Sequence, residues 1–491
     1  MEKSTRVGRM PCITTPPIVV SGAGLSALML GRMIRENCGD RRPIIFVEQD
    51  LKIGGQFSSF DYGSEGLFDQ GMHIYYESSI KRIDDLFTNI LPIADWNILE
   101  GNRKDIAGLF YNGRLQTETP YVDLRHTDSV FRKRCISELF LHLEEVSGNR
   151  EKFEKKQFES AYETSVYQFG HFISDQVFVP VFQKLYQTHP SKLDKLAHHL
   201  TTVNRVALFD EGLALELMRS ELFRARLAFP DQLRLPPIRQ TSQRGFYPKR
   251  FGMARVMQRF REILEEENCF FLTNSRISSI NLDGSSRIAE LTIETSGFEA
   301  RSLPIDQLFW TSGVPSIAAT LGIPTQDLPN DPNNKKLYYV NLRTSVQPRM
   351  YDLYYFYCFD TGFRTFRVTN FAGYCPNAVC DTGYPLCVEM WMQDGDDISP
   401  ESVQDRAVRE LVKFQVLPDE SVVVSARVEK TSGGGFPLPS LNNVRFLNVV
   451  RDRIAERSIT NLEIFGVYSS PDTFFIKDIL IDADRKLRRW Y

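Results

Sequence analysis

Pro16–Gly55 reads PPIVVSGAGLSALMLGRMIRENCGDRRPIIFVEQDLKIGG. Ile18, Val19 and Val20 form a β-branched run suited to a buried parallel strand. Ser21-Gly22-Ala23-Gly24 breaks that run, and Leu25 to Arg35 continues with helical composition. Ile44 to Val47 predicts a second strand, ended by Glu48. The residue types fit one chemistry. Gly22 permits a tight turn out of the strand, and Gly24 lets backbone approach a pyrophosphate closely. The helix beginning at Leu25 and Ser26 aims free N–H groups and a positive dipole end at that phosphate. Ala27, small at the third fingerprint position, allows close helix–strand packing. Glu48 stands about 20 residues further on, where an acid accepts the hydroxyls of an adenosine ribose. A lone glycine turn would be weak evidence. Strand before, helix after and an acid closing the next strand make the stretch read as a dinucleotide-binding unit.

Composition bounds the rest. A chain of 491 residues is long for one core and predicts two or three domains. Hydrophobic content of 42% and charged content of 25% are those of a globular protein. A net charge of −3 gives no reason to expect a nucleic-acid partner. The 8 cysteines are scattered without a C-x-x-C pair, so neither a zinc site nor a disulfide framework is expected. His189, His198 and His199 read as surface or packing residues, and Arg485 to Arg489 as a solvated helix end. The first residues carry no signal-peptide core, and Ile18 to Leu30 is too short and glycine-rich to span a membrane. A flexible leader of about 15 residues and a cytoplasmic protein are expected.

The chain beyond Glu48 and Gln49 narrows the cofactor. A second glycine turn, Gly54-Gly55-Gln56-Phe57, leads to Phe68-Asp69-Gln70-Gly71-Met72-His73. This order resembles the flavoprotein superfamily of amine oxidases, protoporphyrinogen oxidase and UDP-galactopyranose mutase. The resemblance implies FAD: the first glycine turn (Gly22, Ala23, Gly24, Leu25, Ser26, Ala27) on the pyrophosphate, Glu48 with Gln49 at the ribose, and Gly54, Gly55, Gln56 and Phe57 along the phosphates and ribityl chain. It places His73 near the isoalloxazine ring, where the residue either holds the ring, relays a proton, or serves shape alone. Met72 stands where the mutase branch has proline.

Further along, Ser78 to Leu91 has apolar residues at helical spacing, with Ser78 or Ser79 as cap candidate. Asn112-Gly113 predicts a hairpin. Residues 129–226 look mainly helical, their aromatic density more in keeping with core than with a substrate box, and Pro190 should end a helix; the resemblance implies that this helical insertion carries much of the substrate pocket. Arg205 suits either an anionic group or an ion pair. Gly245-Phe246-Tyr247-Pro248 leads into a helix over 253–267 and two strands, where the resemblance puts a backbone contact to adenine at Ile277. Leu308–Gly313 resembles the strand that returns under the pyrophosphate. Phe366-Arg367-Val368-Thr369 resembles a mutase-branch strand whose arginine faces the site; the alternative is an arginine on the solvent face. In the tail, Leu462 to Gly466 and a helix from about Phe475 resemble the segment that closes the flavin site. That assigns Gly466, Ile476 and Asp478 to the cofactor, although Val467 departs from the usual polar residue.

The expected fold class is α/β: a Rossmann-like FAD-binding domain of the glutathione-reductase type, with a mixed α+β substrate domain and a helical insertion. The expected divisions are a leader at 1–15, FAD-binding parts at 16–100, 241–335 and 441–491, a largely helical part at 101–240 and an antiparallel β part at 336–440. The resemblance implies an FAD-dependent oxidoreductase acting on a small molecule, with a flavin-dependent sugar-nucleotide mutase or a non-catalytic flavin binder as alternatives. His73 and Arg367 are the candidate catalytic residues, and no metal is expected. Oligomeric state is left open.

Overall fold

The computed structural model describes residues 15–36, 38–149, 158–198, 200, 202–333, 335–431 and 438–490. Nearly all of the expected leader, with Cys12 and His199, lies outside them. The fold is mixed α/β and divides into two compact units. The first is built from Met1–Asn97, Gly245–Pro329 and Arg445–Tyr491, the second from Ile98–Arg244 and Asn330–Val444.

In the first unit, five parallel strands form one sheet in the order Cys269–Leu272, Ile44–Val47, Ile18–Ser21, Gln307–Trp310, Leu462–Ile464. The Ile18–Ser21, Ile44–Val47 and Gln307–Trp310 strands are buried along their whole length, which is why they read as continuous apolar runs. The helix Leu25–Glu36 is buried on nearly every side, between the sheet and the helices Lys81–Thr88, Ala254–Glu266 and Ile476–Leu487. Its Arg35 is fully buried because its guanidinium is consumed by carbonyls, with Nε donating to Glu267 O at 2.8 Å and Nη2 to Arg42 O at 2.7 Å. Beside this sheet, Ser275–Leu282, Ile288–Thr295 and Arg301–Pro304 make an antiparallel three-stranded sheet over a shared apolar core.

One helix start differs from expectation. The helix runs over Lys81–Thr88 with Ile80 as its cap residue, and neither Ser78 nor Ser79 caps it. Ser79 is left-handed (φ 71°), and the Asp84 carboxylate instead reaches back, accepting from Ser78 N–H at 2.7 Å and Tyr75 OH at 3.0 Å. A buried acid has taken over the turn that a serine cap would have closed.

The second unit carries a seven-stranded sheet in the order Val423–Lys430, Lys336–Thr344, Tyr384–Met392, Thr365–Asn370, Tyr355–Cys358, Ala107–Tyr111, Arg114–Gln116. All neighbours are antiparallel except Tyr355–Cys358 and Ala107–Tyr111. Asn112 and Gly113 close the last hairpin with φ of 52° and 74°, the both-positive turn an Asn-Gly pair favours. The helix Pro400–Lys413 covers one face, burying Val403, Ala407 and Leu411. The helical part contains Ser129–Gly148, Ala161–Ile173 with a break at Gly170, a π turn over Ser174–Phe178, and Val179–Tyr186. That last helix ends before Pro190, at a left-handed Gln187, so the stop is a C-terminal cap rather than the proline. His198 packs inside, its Nε2 3.0 Å from Ala161 O and its ring against Phe182.

Candidate functional site

The glycine turn sits at the C-terminal end of a central strand. Gly22 N–H donates to Val47 O at 2.7 Å, and Thr311 N–H donates to Ser21 O at 3.1 Å. Gly22 has φ 99°, and a Cβ there would lie 2.7 Å from Thr311 Oγ1. Packing and backbone therefore both demand glycine at this position. Gly24 is different. Its backbone needs no positive φ, and a Cβ would meet only Gly55 Cα, at 3.9 Å. Neither packing nor a positive φ requires glycine at this position. Leu28 N–H donates to Gly24 O at 3.0 Å, which leaves the amides of Leu25, Ser26 and Ala27 in the first turn of the helix.

The second glycine turn lies on the first. Gly54 N–H donates to Ala23 O at 2.8 Å, and Gly24 and Gly54 form a parallel bridge. Gln56 and Phe57 occupy the short 3₁₀ turn Gly55–Phe57. The Phe57 and His73 rings meet at 5.0 Å, tilted by 41°. Glu48 stands at the end of its strand, with Oε2 accepting from Ala23 N–H at 2.7 Å and Oε1 from Asp50 N–H at 2.9 Å. Burial pushes its pKa up, opposed by those two hydrogen bonds. Gln49, next along, lines a cavity of about 510 Å³ with Asn274, Ser275, Arg276 and Phe298. Ile277 follows that edge, its side chain buried in the apolar core of the antiparallel sheet.

The C-terminal segment meets the same strand ends. Phe465 N–H donates to Trp310 O at 2.8 Å, and Gly466 lies against the Thr311 carbonyl. Val467 is 42% exposed, so it is not a core residue that has replaced a polar one. Ile476 opens the final helix, and Asp478 Oδ2 accepts from Phe475 N–H at 3.3 Å, tying down the helix start. Gly22–Ala27, Glu48, Gly54–Gly55 and Gly466 are thus gathered around the ends of parallel strands.

Several residues of this arrangement carry no motif. Asp69, quoted within FDQGMH, is fully buried and accepts from Ser59 Oγ at 2.6 Å, Tyr247 OH at 2.5 Å and Met253 N–H at 2.9 Å. It pins the strand before His73 to the start of the helix Ala254–Glu266. A lone acid in an apolar strand was the only signal for it. Lys486 corrects the reading of Arg485–Arg489 as solvated. Arg485, Arg488 and Arg489 are exposed, but Lys486 is buried and donates to Ile464 O at 2.6 Å, with Asp482 at 3.0 Å.

In the second unit, Arg367 is half-buried and already paired. Its guanidinium forks onto Glu389, with Nη2 to Oε1 at 2.9 Å, and the two residues lie opposite each other across neighbouring strands. The Tyr355 and Tyr357 rings flank it, each 5.9 Å from Cζ. Burial opposes its charge, but Glu389 and the tyrosine hydroxyls hold the pKa well above the ordinary value. Arg205 donates to Tyr121 OH at 3.1 Å. Among the described residues no group of His, Cys, Asp and Glu could hold a metal ion. The described cysteines are all free thiols. No helix among the described residues is long and apolar enough to cross a membrane.

No protein-family model matches the chain, and no curated protein sequence matches it. Solved structures do. Each of the following shares its fold with this chain over nearly the whole length. A reduced UDP-galactopyranose mutase aligns with 97% of this chain and 94% of its own, with a TM-score of 0.71 and 16% identity. A protein provisionally assigned as protoporphyrinogen oxidase from Exiguobacterium sp. 255-15 covers 97% and 99%, with a TM-score of 0.65 and 13% identity. Cyclohexylamine oxidase from Brevibacterium oxydans IH-35A covers 96% and 100%, with a TM-score of 0.57 and 13% identity.

Proposed function

We propose that the protein is an FAD-dependent oxidoreductase acting on a small molecule, and that its first unit is a Rossmann-like FAD-binding domain of the glutathione-reductase type. The observation that carries this is Gly24, a glycine that packing and dihedrals leave unexplained. It stands where the helix amides of Leu25–Ala27, the second glycine turn and the Glu48 carboxylate converge. In this reading the Gly22–Ala27 backbone binds the pyrophosphate and Glu48 accepts the ribose hydroxyls. Gln49 and the backbone near Ile277 border the adenine, and Gly54–Phe57 follow the rest of the dinucleotide. The flavin supplies the electron-transfer chemistry when bound. The chain supplies orientation: Phe57 packs on the His73 imidazole, and the start of the Ile476–Leu487 helix presents its positive end.

The deciding measurement is an absorption spectrum of the purified protein before and after dithionite. A flavin spectrum that bleaches is expected. A colourless protein that cannot be reconstituted with FAD would overturn the reading. Gly24→Ala is expected to leave the thermal midpoint of the flavin-free protein unchanged and to lower flavin occupancy. If occupancy stays at the wild-type level, the glycine has no ligand role.

A second reading, a mutase-like isomerase in which a nucleotide sugar turns over only on reduced protein, is favoured by the 0.71 TM-score to UDP-galactopyranose mutase. The engagement of the Arg367 fork by Glu389 counts against an anion-binding role for that arginine in either reading. Turnover of UDP-sugars only after reduction would select the isomerase; substrate-driven bleaching of oxidised protein selects the oxidoreductase.

A further inference from the structure

The second unit contains a cavity of about 550 Å³ that is lined by none of the residues assigned to the cofactor above. Its walls are the C-terminal end of the helix Val179–Tyr186 with the turn after it, and the ends of the strands Thr365–Asn370 and Tyr384–Met392. Lys184, Gln187, Lys192, Arg364, Trp391 and Gln393 carry its chemistry. Among the described residues that line it, none is Asp or Glu. Acids close to it are already engaged, Asp360 by the Asn112 and Gly113 N–H groups at 2.7 and 2.8 Å. Asp396 takes the Arg364 fork, Nε to Oδ2 at 2.8 Å and Nη2 to Oδ1 at 3.1 Å. Glu410 accepts from Arg364 N–H at 3.0 Å and from Thr365 N–H at 2.8 Å. Arg364 is therefore neutralised, and the positive charge left over belongs to the lysines.

That charge is only partly compensated, by Glu410 and Asp360 acting on Lys184 and by Asp331 near Lys192. Lys184 is half-buried and donates to the Phe363 carbonyl, a neutral partner. Behind the cavity wall, Lys335 Nζ lies 4.0 Å from the Trp391 ring centroid and donates to another carbonyl, Leu185 O. Burial lowers the pKa of both amines, and the Lys184 charge lowers that of Lys335 further. Lys335 is thereby held largely neutral, and the Lys184 ammonium, set against a carbonyl in a low-dielectric wall, gains from an added anion. Lys192 is exposed and lines the cavity, adding a second ammonium. Gln187 and Gln393 add amide donors and acceptors, Gln187 from a left-handed backbone that is costly for a residue with a Cβ.

We propose that this cavity binds a small polar molecule through an anionic group, phosphate or carboxylate, held by Lys184 and Lys192 with the two glutamine amides on its uncharged part. The proposal does not depend on flavin binding. It predicts discrimination against cations, and so bears on which substrates or effectors the second unit admits.

The test is calorimetric titration of the full-length protein, as isolated, with inorganic pyrophosphate, malonate and putrescine. Saturable binding of at least one anion is expected, weakened by added salt, with none for putrescine. Pyrophosphate alone binding identifies a phosphate site; malonate alone identifies a carboxylate site. Lys192→Glu should weaken the anion by at least about tenfold, ~1.4 kcal/mol. Lys184→Gln should do the same; should it fail to fold, Gln393→Ala supplies the second variant, on a side chain outside any ion pair. Pyrophosphate held at the glycine turns of the first unit would be insensitive to these substitutions. Absence of binding by both anions, or binding that Lys192→Glu and Gln393→Ala leave unchanged, would overturn the proposal.

Discussion

Arg367 separates what a residue's neighbours in sequence imply from what its neighbours in space allow. The motif around it points to an anion-facing arginine. In the fold its fork is filled by Glu389 inside a box of tyrosines. Arg367→Ala should therefore act on stability, because it strands a buried carboxylate; removing one partner of such a pair costs about 3–5 kcal/mol. Arg367→Met combined with Glu389→Leu should recover most of that loss in urea unfolding. A single variant of undiminished stability would mean the pair is dispensable. Lys335 is a residue whose cost depends on pH. Burial and the Lys184 charge bring its pKa down to about 6. Between there and its ordinary value near 10.5 the unfolded chain binds a proton that the folded chain does not. Stability must then rise with pH across that window and level off below it. Lys335→Met should flatten this dependence, its stabilising effect growing as pH falls from about 10 toward 6. An unchanged slope of unfolding free energy against pH would show that Lys335 is charged in the fold.

Elements were legible where one physical cause dominates. Val19, Phe46 and Phe309 lie in strands buried on both faces, so apolar runs marked them without alternation. The Asn112-Gly113 turn was legible because few residues adopt its dihedrals. Legibility failed where a side chain from another element did the local work. Asp84 displaced a serine cap, Asp69 joined two segments far apart in sequence, and Lys486 turned inward from a basic run. The last case makes a prediction about the C-terminal helix. Asp482 and Lys486 lie one turn apart on its buried side. Lys486 holds the Ile464 carbonyl, while Asp482 accepts from Ser470 Oγ at 3.3 Å. Together they fix the strand end before Gly466 and the loop after it. Lys486→Met should leave the helix formed but loosen that loop, read as faster hydrogen exchange at Gly466–Thr473 and weaker flavin retention. Unaltered exchange there would mean that the hydrogen bonds from Tyr468 to Thr473 and from Arg451 to Tyr468 suffice.

At the scale of the whole molecule, the order of glycine turn, second glycine turn, returning strand and closing helix made the fold legible, and the chain shares its fold with a UDP-galactopyranose mutase structure over 97% of its length. What order alone could not convey is how one unit depends on three separated segments. The central strand comes from the first, Cys269–Leu272 and Gln307–Trp310 from the second, and the edge strand Leu462–Ile464 from the last. The last segment also supplies Ile479, Leu480 and Ala483, buried in a helix that packs on Leu25–Glu36. The first unit is then incomplete until residues 445–490 have been added. A chain ended at Val444 would uncover the Gln307–Trp310 strand edge and an apolar side of the Leu25–Glu36 helix, both prone to aggregation. Such a chain should yield little monomeric protein and no flavin absorption, and supplying residues 445–491 as a separate co-expressed segment should restore some of both. A truncated chain that stays monomeric and retains flavin would mean that the remaining strands and helices form the cofactor unit by themselves, and that Gly466 and the closing helix act on the bound ring's chemistry rather than on the fold.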